Sequence, residues 1–200
     1  MSAAQLIAIA STVGFLAGWR LYFVTFIVGL SMRMGWVPLP DQLHSLDALA
    51  SPWIIGIAAL GAVAEFFADK VPWIDSVWDA VHTFVRPIGG ALLSMAIINS
   101  SDPTWQIASL LLGGSTALFA HVGKSGARTL VNVSPEPFSN LVLSSGEDLA
   151  TAGLLALAIN YPLAAGAITL CLALVCLAIL LAARRTLRFI GSKLRSARAK

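Results

Sequence analysis

Residues 149–183 read LATAGLLALAINYPLAAGAITLCLALVCLAILLAA, without one Asp, Glu, Lys or Arg. A helix that crosses a bilayer needs about 20 largely apolar residues. This run is too long for one such helix, and Asn160-Tyr161-Pro162 lies inside it. Proline lacks a backbone donor and disfavours helix in the residue before it, so a turn is expected there. The run therefore predicts two apolar helices back to back, about 148–160 and 163–183. That reading decides the fold class: an all-α, polytopic integral membrane protein.

Working outward, charge-free runs recur at 1–19 and 21–32, broken only by Arg20, then at 48–64, 87–101 and 103–123. Asp102-Pro103 separates the last two. The pieces predict about six transmembrane helices, near 4–30, 49–67, 87–100, 104–122, 148–160 and 163–183. The third and fifth are short enough to be half-helices or re-entrant segments. Composition agrees. The 200 residues are 58% hydrophobic and 12% charged, with a mean hydropathy of +0.82. A soluble chain carries about 25% charged residues. Half that charge cannot cover a water-facing surface, which excludes a soluble domain, a disordered chain, a coiled coil and a secreted disulfide scaffold.

The formal charge of +3 is unevenly spread. Arg184–Lys200 holds seven of the thirteen bases, so acids outnumber bases in the rest of the chain. A basic tail on such a body marks orientation, since cytoplasmic segments are rich in Lys and Arg. We expect one transmembrane domain over 1–183 and a basic cytoplasmic tail over 184–200, in a bacterial inner membrane. Six crossings would then put the N-terminus in the cytoplasm too. No base precedes the first apolar run, so that run reads as a retained span rather than a signal peptide. Cys171 and Cys176 lie in the most apolar stretch and carry no redox inference. The pI of about 9.2 comes from the tail, and nucleic acid is not an expected partner.

Polar residues gather in two segments. In the first, Glu65 and Asp69 are four apart at the end of the second span, followed by Lys70 and Pro72. Asp75, Asp79, His82 and Arg86 then step by four, three and four, drawing one polar stripe. Trp73, Val77, Val81 and Phe84 fill the opposite side, which predicts an amphipathic interfacial helix. The plainer reading is a solvated loop helix. Against it, Glu65 still lies in apolar sequence, where a carboxylate needs a partner or water. Asp75, Asp79 and His82 are candidate ligands for a cation; no organic cofactor motif is present.

The second segment begins with His121, Lys124 and Arg128, spaced to share a helix face, with Gly123 and Gly126 allowing close helix approach. It ends with Ser144-Ser145-Gly146-Glu147-Asp148, which resembles a helix start with acids in its first turn. Arg20 completes the set. It follows Gly14-x-x-x-Gly18, and the apolar residues on both sides favour a buried arginine over one that snorkels to an interface. Glu65 and Glu147 are its natural partners, and the sequence does not choose between them.

This ordered set resembles a family of polytopic bacterial membrane proteins, domain of unknown function 4126. The resemblance rests on an early Gly-rich span and on Glu65 shortly before Asp69-Lys70-Val71-Pro72-Trp73-Ile74-Asp75. It continues through His82, Arg86-Pro87 with Gly89-Gly90, then His121/Lys124/Arg128, and ends on Ser144 or Ser145 before Glu147-Asp148. The Asp69–Pro87 stretch is its most specific part. The resemblance implies membrane localisation and lends no activity.

Three functions fit these residues. The first is a transporter or channel for an ion or small polar solute. It would use a cluster of Arg20, Glu65, Asp69, Lys70, Asp75, Arg86, His121, Lys124, Arg128, Glu147 and Asp148. The second is a structural or scaffold protein whose charges merely pair. The third is a membrane-embedded enzyme acting on a lipid or lipid-linked substrate at the cytoplasmic face, for which no nucleophile, metalloprotease or phosphate-loop motif is present. The partners expected are the lipid bilayer, a solute or ion of open identity and, optionally, further copies of the chain.

Overall fold

The computed structural model describes residues 1–36, 41–69, 71–131 and 137–198. All regular structure among them is helical. The order is α1 (Ala3–Met34), a 3-10 helix (Asp41–Ala50), α2 (Pro52–Ala68), α3 (Pro72–Ile98), α4 (Pro103–Val131), α5 (Pro137–Asn160) and α6 (Pro162–Arg198). Four helices are long and apolar enough to cross a bilayer: α1, most of α3, most of α4 and Pro162–Ala182 of α6. Pro52–Ala68 is apolar but shorter.

Five helices begin with proline in their first turn, where the missing N–H would be unpaired anyway. The sequence places these starts well and the helix lengths less well. The expected interfacial helix and the short third span are one helix, α3, which runs through Pro87. Its polar stripe faces inward: Asp75, His82 and Arg86 are buried, while Trp73, Val77, Val81, Phe84 and Ile88 are exposed. An outward apolar face suits lipid, not an interfacial helix with its polar side in water. The short fifth span is likewise the second half of α5.

The largest departure is in α1. Arg20 leaves helical geometry, with φ −145° and ψ 64°, and divides the helix into 3–19 and 21–34. Neighbours along α3 show that the chain turns back there. In the first half, Ala10 accepts a hydrogen bond from Ser94, and Gly14 lies beside Gly90. In the second half the order reverses. Leu21 lies on Gly89, and Leu21, Tyr22 and Thr25 share a cleft with Leu92 and Leu93. Gly29 then meets Leu49, in the 3-10 helix that bonds through Ser45 to Ala96. Position along α3 thus falls towards Arg20 and rises again after it. At about 1.5 Å per residue, the first half is ~25 Å long.

This reversal sorts the elements by end. At one end lie the N-terminus of α1, the C-terminus of α3 and the start of α4, with Ala3, Leu6, Ile98, Ser100 and Trp105 around one cleft. The α5–α6 turn joins them, since Ala4 and Ala8 share a cleft with Leu163 and Gly166. Exposed Trp36, Trp53, Trp105 and Tyr161 ring this end, as aromatic residues do at a bilayer surface. At the other end lie the end of α2, the start of α3, the end of α4 and the first half of α5. There α6 passes Gly123 at Cys176 and runs on into its basic residues. Six straight crossings would have returned both termini to one side; the turn at Arg20 puts them at opposite ends.

The core is the packing of α1, α3 and α4. A Cβ added to Gly18 would lie 2.1 Å from the Ala117 carbonyl oxygen, and one on Gly113 would lie 2.2 Å from the Gly90 carbonyl oxygen. These helices touch backbone to backbone, which only glycine permits. Ile9, Ala10, Leu16, Leu21, Leu93 and Ile97 belong to the apolar cluster packed around these contacts. Among the described residues, α5 packs on α1 and α6 and little on α4, and α2 rests mainly on α1.

Candidate functional site

At the apex of α1, beyond the glycine contacts, the packed interior turns from apolar to charged. Four bases and six acids gather there, most of them buried, brought from α1 to α5 and the α2–α3 junction. They form two connected nets.

The first net surrounds Arg20. Because the helix is broken there, carbonyls at the end of the first half lack their usual partners. Lys124 Nζ donates to one of them, the Trp19 oxygen, at 3.1 Å. Arg20 itself pairs with Asp69 Oδ2, with Glu147 Oε2 at 3.3 Å and, through Nε, with Asp148 Oδ1 at 2.9 Å. It also donates to the Ser144 carbonyl and hydroxyl. Arg128 pairs with Asp75, with Asp69 at 3.0 Å and with Glu147 at 3.2 Å. Lys124 lies 3.5 Å from Asp69 and 3.2 Å from Glu147. Burial pushes the Asp69 carboxyl up, but Lys124, Arg20 and Arg128 outweigh it and hold the group at about 2.

The second net centres on Arg86 of α3. Its guanidinium donates to Glu65 Oε1 at 2.6 Å, to Asp79 Oδ1 at 3.4 Å and to His121 Nδ1 at 2.6 Å. An arginine cannot accept, so His121 Nδ1 carries the lone pair and the proton sits on Nε2. That nitrogen faces the Asp79 carbonyl at 3.2 Å and the Thr83 hydroxyl at 3.1 Å. His82 shows the opposite tautomer. Its Nδ1 donates to the Trp78 carbonyl at 2.7 Å, leaving Nε2 to accept from the Tyr22 hydroxyl at 3.2 Å. The His82 ring stacks on Trp78, with centroids 4.3 Å apart. Ser125 closes the net by donating to Asp79 at 2.6 Å.

Among the described residues, several buried atoms keep no hydrogen-bond partner, including Glu65 Oε2, Asp69 Oδ1, Trp78 Nε1, Arg86 Nε and Arg128 Nε. Both donors and acceptors are left over within one polar interior, the pattern that bound water or a polar solute completes.

The structure brings together Arg20, Glu65, Asp69, Asp75, Arg86, His121, Lys124, Arg128, Glu147 and Asp148. Lys70 lies outside the described residues. Of the two acids expected to hold Arg20, Glu147 does; Glu65 is taken by Arg86. The helix-start reading of Glu147 and Asp148 gives way, because α5 begins a full ten residues earlier, at Pro137. The cation candidates Asp75, Asp79 and His82 face different partners: Arg128, then Arg86 with Ser125, then Tyr22 with Trp78. Among the described residues no three metal-ligating side chains converge. The cluster expected from the sequence left out Tyr22, Thr83 and Ser125. Only Tyr22 carried a signal, its place two residues after an arginine in an apolar run.

No curated protein and no solved structure matches this chain. A family model does, over residues 7–184, which takes in the glycine core and every charged residue of both nets. The chain belongs to the family described as a domain of unknown function (DUF4126).

Proposed function

We propose that this is a small multi-pass membrane protein that carries an ion or small polar solute across the bilayer. Five helices cross, and α1 enters and returns. The observation that supports this best is the break in α1 at Arg20. Non-helical backbone at membrane depth is tolerated only where protein or a wet cavity satisfies it. Secondary transporters place solute sites at the ends of such discontinuous helices. Here the broken ends meet the chain's densest set of buried charges and unpartnered polar atoms. A buried ion-pair net is a poor way to gain stability, since apolar residues of similar volume do as well or better. By the rule that cytoplasmic ends are basic, the charged end faces the cytoplasm: Arg86, Lys124, Arg128 and the basic stretch of α6 lie towards it, and Arg33 at the other end.

One observation favours a scaffold instead: each base of the two nets has a carboxylate partner. The two readings separate in reconstituted vesicles loaded with pH- and anion-sensitive dyes. Transport predicts solute flux that falls at least tenfold in Arg128→Ala and Glu65→Gln, both purified as folded protein. Flux unchanged by both substitutions, or none from the unaltered chain, removes these residues from transport and leaves the scaffold.

A further inference from the structure

The charges divide by helix. Within α1 to α4, Arg20, Arg86, Lys124 and Arg128 face Glu65, Asp69, Asp75 and Asp79, a balance of zero among the described residues of the nets. Helix α5 has no Lys or Arg and adds two carboxylates, Glu147 and Asp148. Among the described residues of the nets, the excess of negative charge is what α5 inserts.

Its point of insertion is specific. Glu147 Oε2 lies 3.3 Å from Arg20, 3.2 Å from Lys124 and 3.2 Å from Arg128. Three bases from two tightly packed helices therefore converge on one oxygen. A second oxygen, Asp69 Oδ2, meets the same three. Three cations held this close repel one another unless an anion lies between them. Two guanidinium forks and an ammonium, with the Ser144 hydroxyl beside them, form a donor set suited to a phosphate-like oxyanion.

The two capping carboxylates are not equally fixed. The Asp69 side chain is fully enclosed, whereas Glu147 is 10% exposed and Asp148 28%. Among the described residues, the α5 side of the cage is also its open side: Ser145 and Gly146 are exposed, nothing lies within 4 Å of a Cβ placed on Gly146, and α5 packs little on α4. A solute arriving from water meets the acids of α5 first, and they carry the charge of a phosphate dianion.

We propose that Arg20, Lys124 and Arg128 form a binding site for a phosphate-class oxyanion, and that Glu147 with Asp148 is the built-in competitor that fills it in this state. The proposal rests on the solute-site reading above and names the solute's class. An inorganic phosphate ion and a phospholipid headgroup share the required chemistry.

The test is calorimetric titration of the full chain in detergent with inorganic phosphate. The unaltered chain binds weakly, because its own carboxylates occupy the cage. Glu147→Gln removes the competing charge and tightens binding by about tenfold or more. Arg128→Ala abolishes binding, and Lys124→Gln gives the same result if Arg128→Ala does not fold. In nanodiscs of anionic phospholipid, loss of the phosphate signal identifies the headgroup as occupant, while retention identifies the free ion. The proposal is overturned if Glu147→Gln binds phosphate no better than the unaltered chain in detergent. Phosphate binding without flux refutes transport and keeps the site; flux of another solute with no phosphate binding does the reverse.

Discussion

Asp69 is the residue on which the first net turns, and its charge state gives the net a pH signature. Its folded value of about 2 lies below the ordinary aspartate value of about 3.9. A carboxylate depressed by folding adds stability that is fully present above the unfolded value and is lost as pH falls through the folded one. Thermal melts in detergent should therefore show Asp69→Asn less stable than the unaltered chain at pH 6, by roughly 2 kcal/mol or more. That gap should close between about pH 4 and pH 2. A gap independent of pH would place the loss in packing instead. At this scale much was legible in the sequence. A lone arginine in apolar sequence announces burial, and acids and bases at helical spacing announce a shared face. Pairing was less legible. Arg20 takes Asp69 rather than Glu65, which Arg86 of α3 occupies, a competitor on another helix that the order of residues does not reveal.

At the scale of the helix, glycines do the positioning. The Gly14-x-x-x-Gly18 pattern signalled close packing, and its partner surface is Gly113, Thr116 and Ala117 of α4. Gly18→Ala should destabilise the protein by about 1–3 kcal/mol, the usual cost of overpacking, since its Cβ meets backbone that cannot yield. Gly56→Ala, in α2 with open space around it, should be neutral or slightly stabilising through better helix propensity. Equal effects at the two positions in thermal melts would show that α1 and α4 are not in backbone contact. Helix starts were legible because proline marks them, and lengths less so. A run of charges looks like the end of a span, yet α3, α4 and α5 all continue through theirs. Those charges are neutralised inside the bundle rather than by water, and hydropathy along one chain cannot register a partner on another helix. The reversal of α1 has the same cause. Its two halves read as one long apolar helix, and only contacts with α3 show that it doubles back.

For the whole molecule, that reversal sets both the topology and the site. It places a broken helix end among the bases, leaves the acid-bearing α2 and α5 at the periphery, and sends the two termini to opposite ends of the bundle. The most direct measurement is labelling of single cysteines by a membrane-impermeant reagent, on right-side-out and inverted vesicles. The background would lack Cys171 and Cys176, and the probes would replace the exposed serines Ser2, Ser76, Ser101 and Ser145. The structure predicts that positions 2 and 101 label from one side and positions 76 and 145 from the other. Labelling of position 2 from the same side as 76 and 145 would mean that α1 crosses straight through, and would contradict the turn at Arg20 and the site built on it.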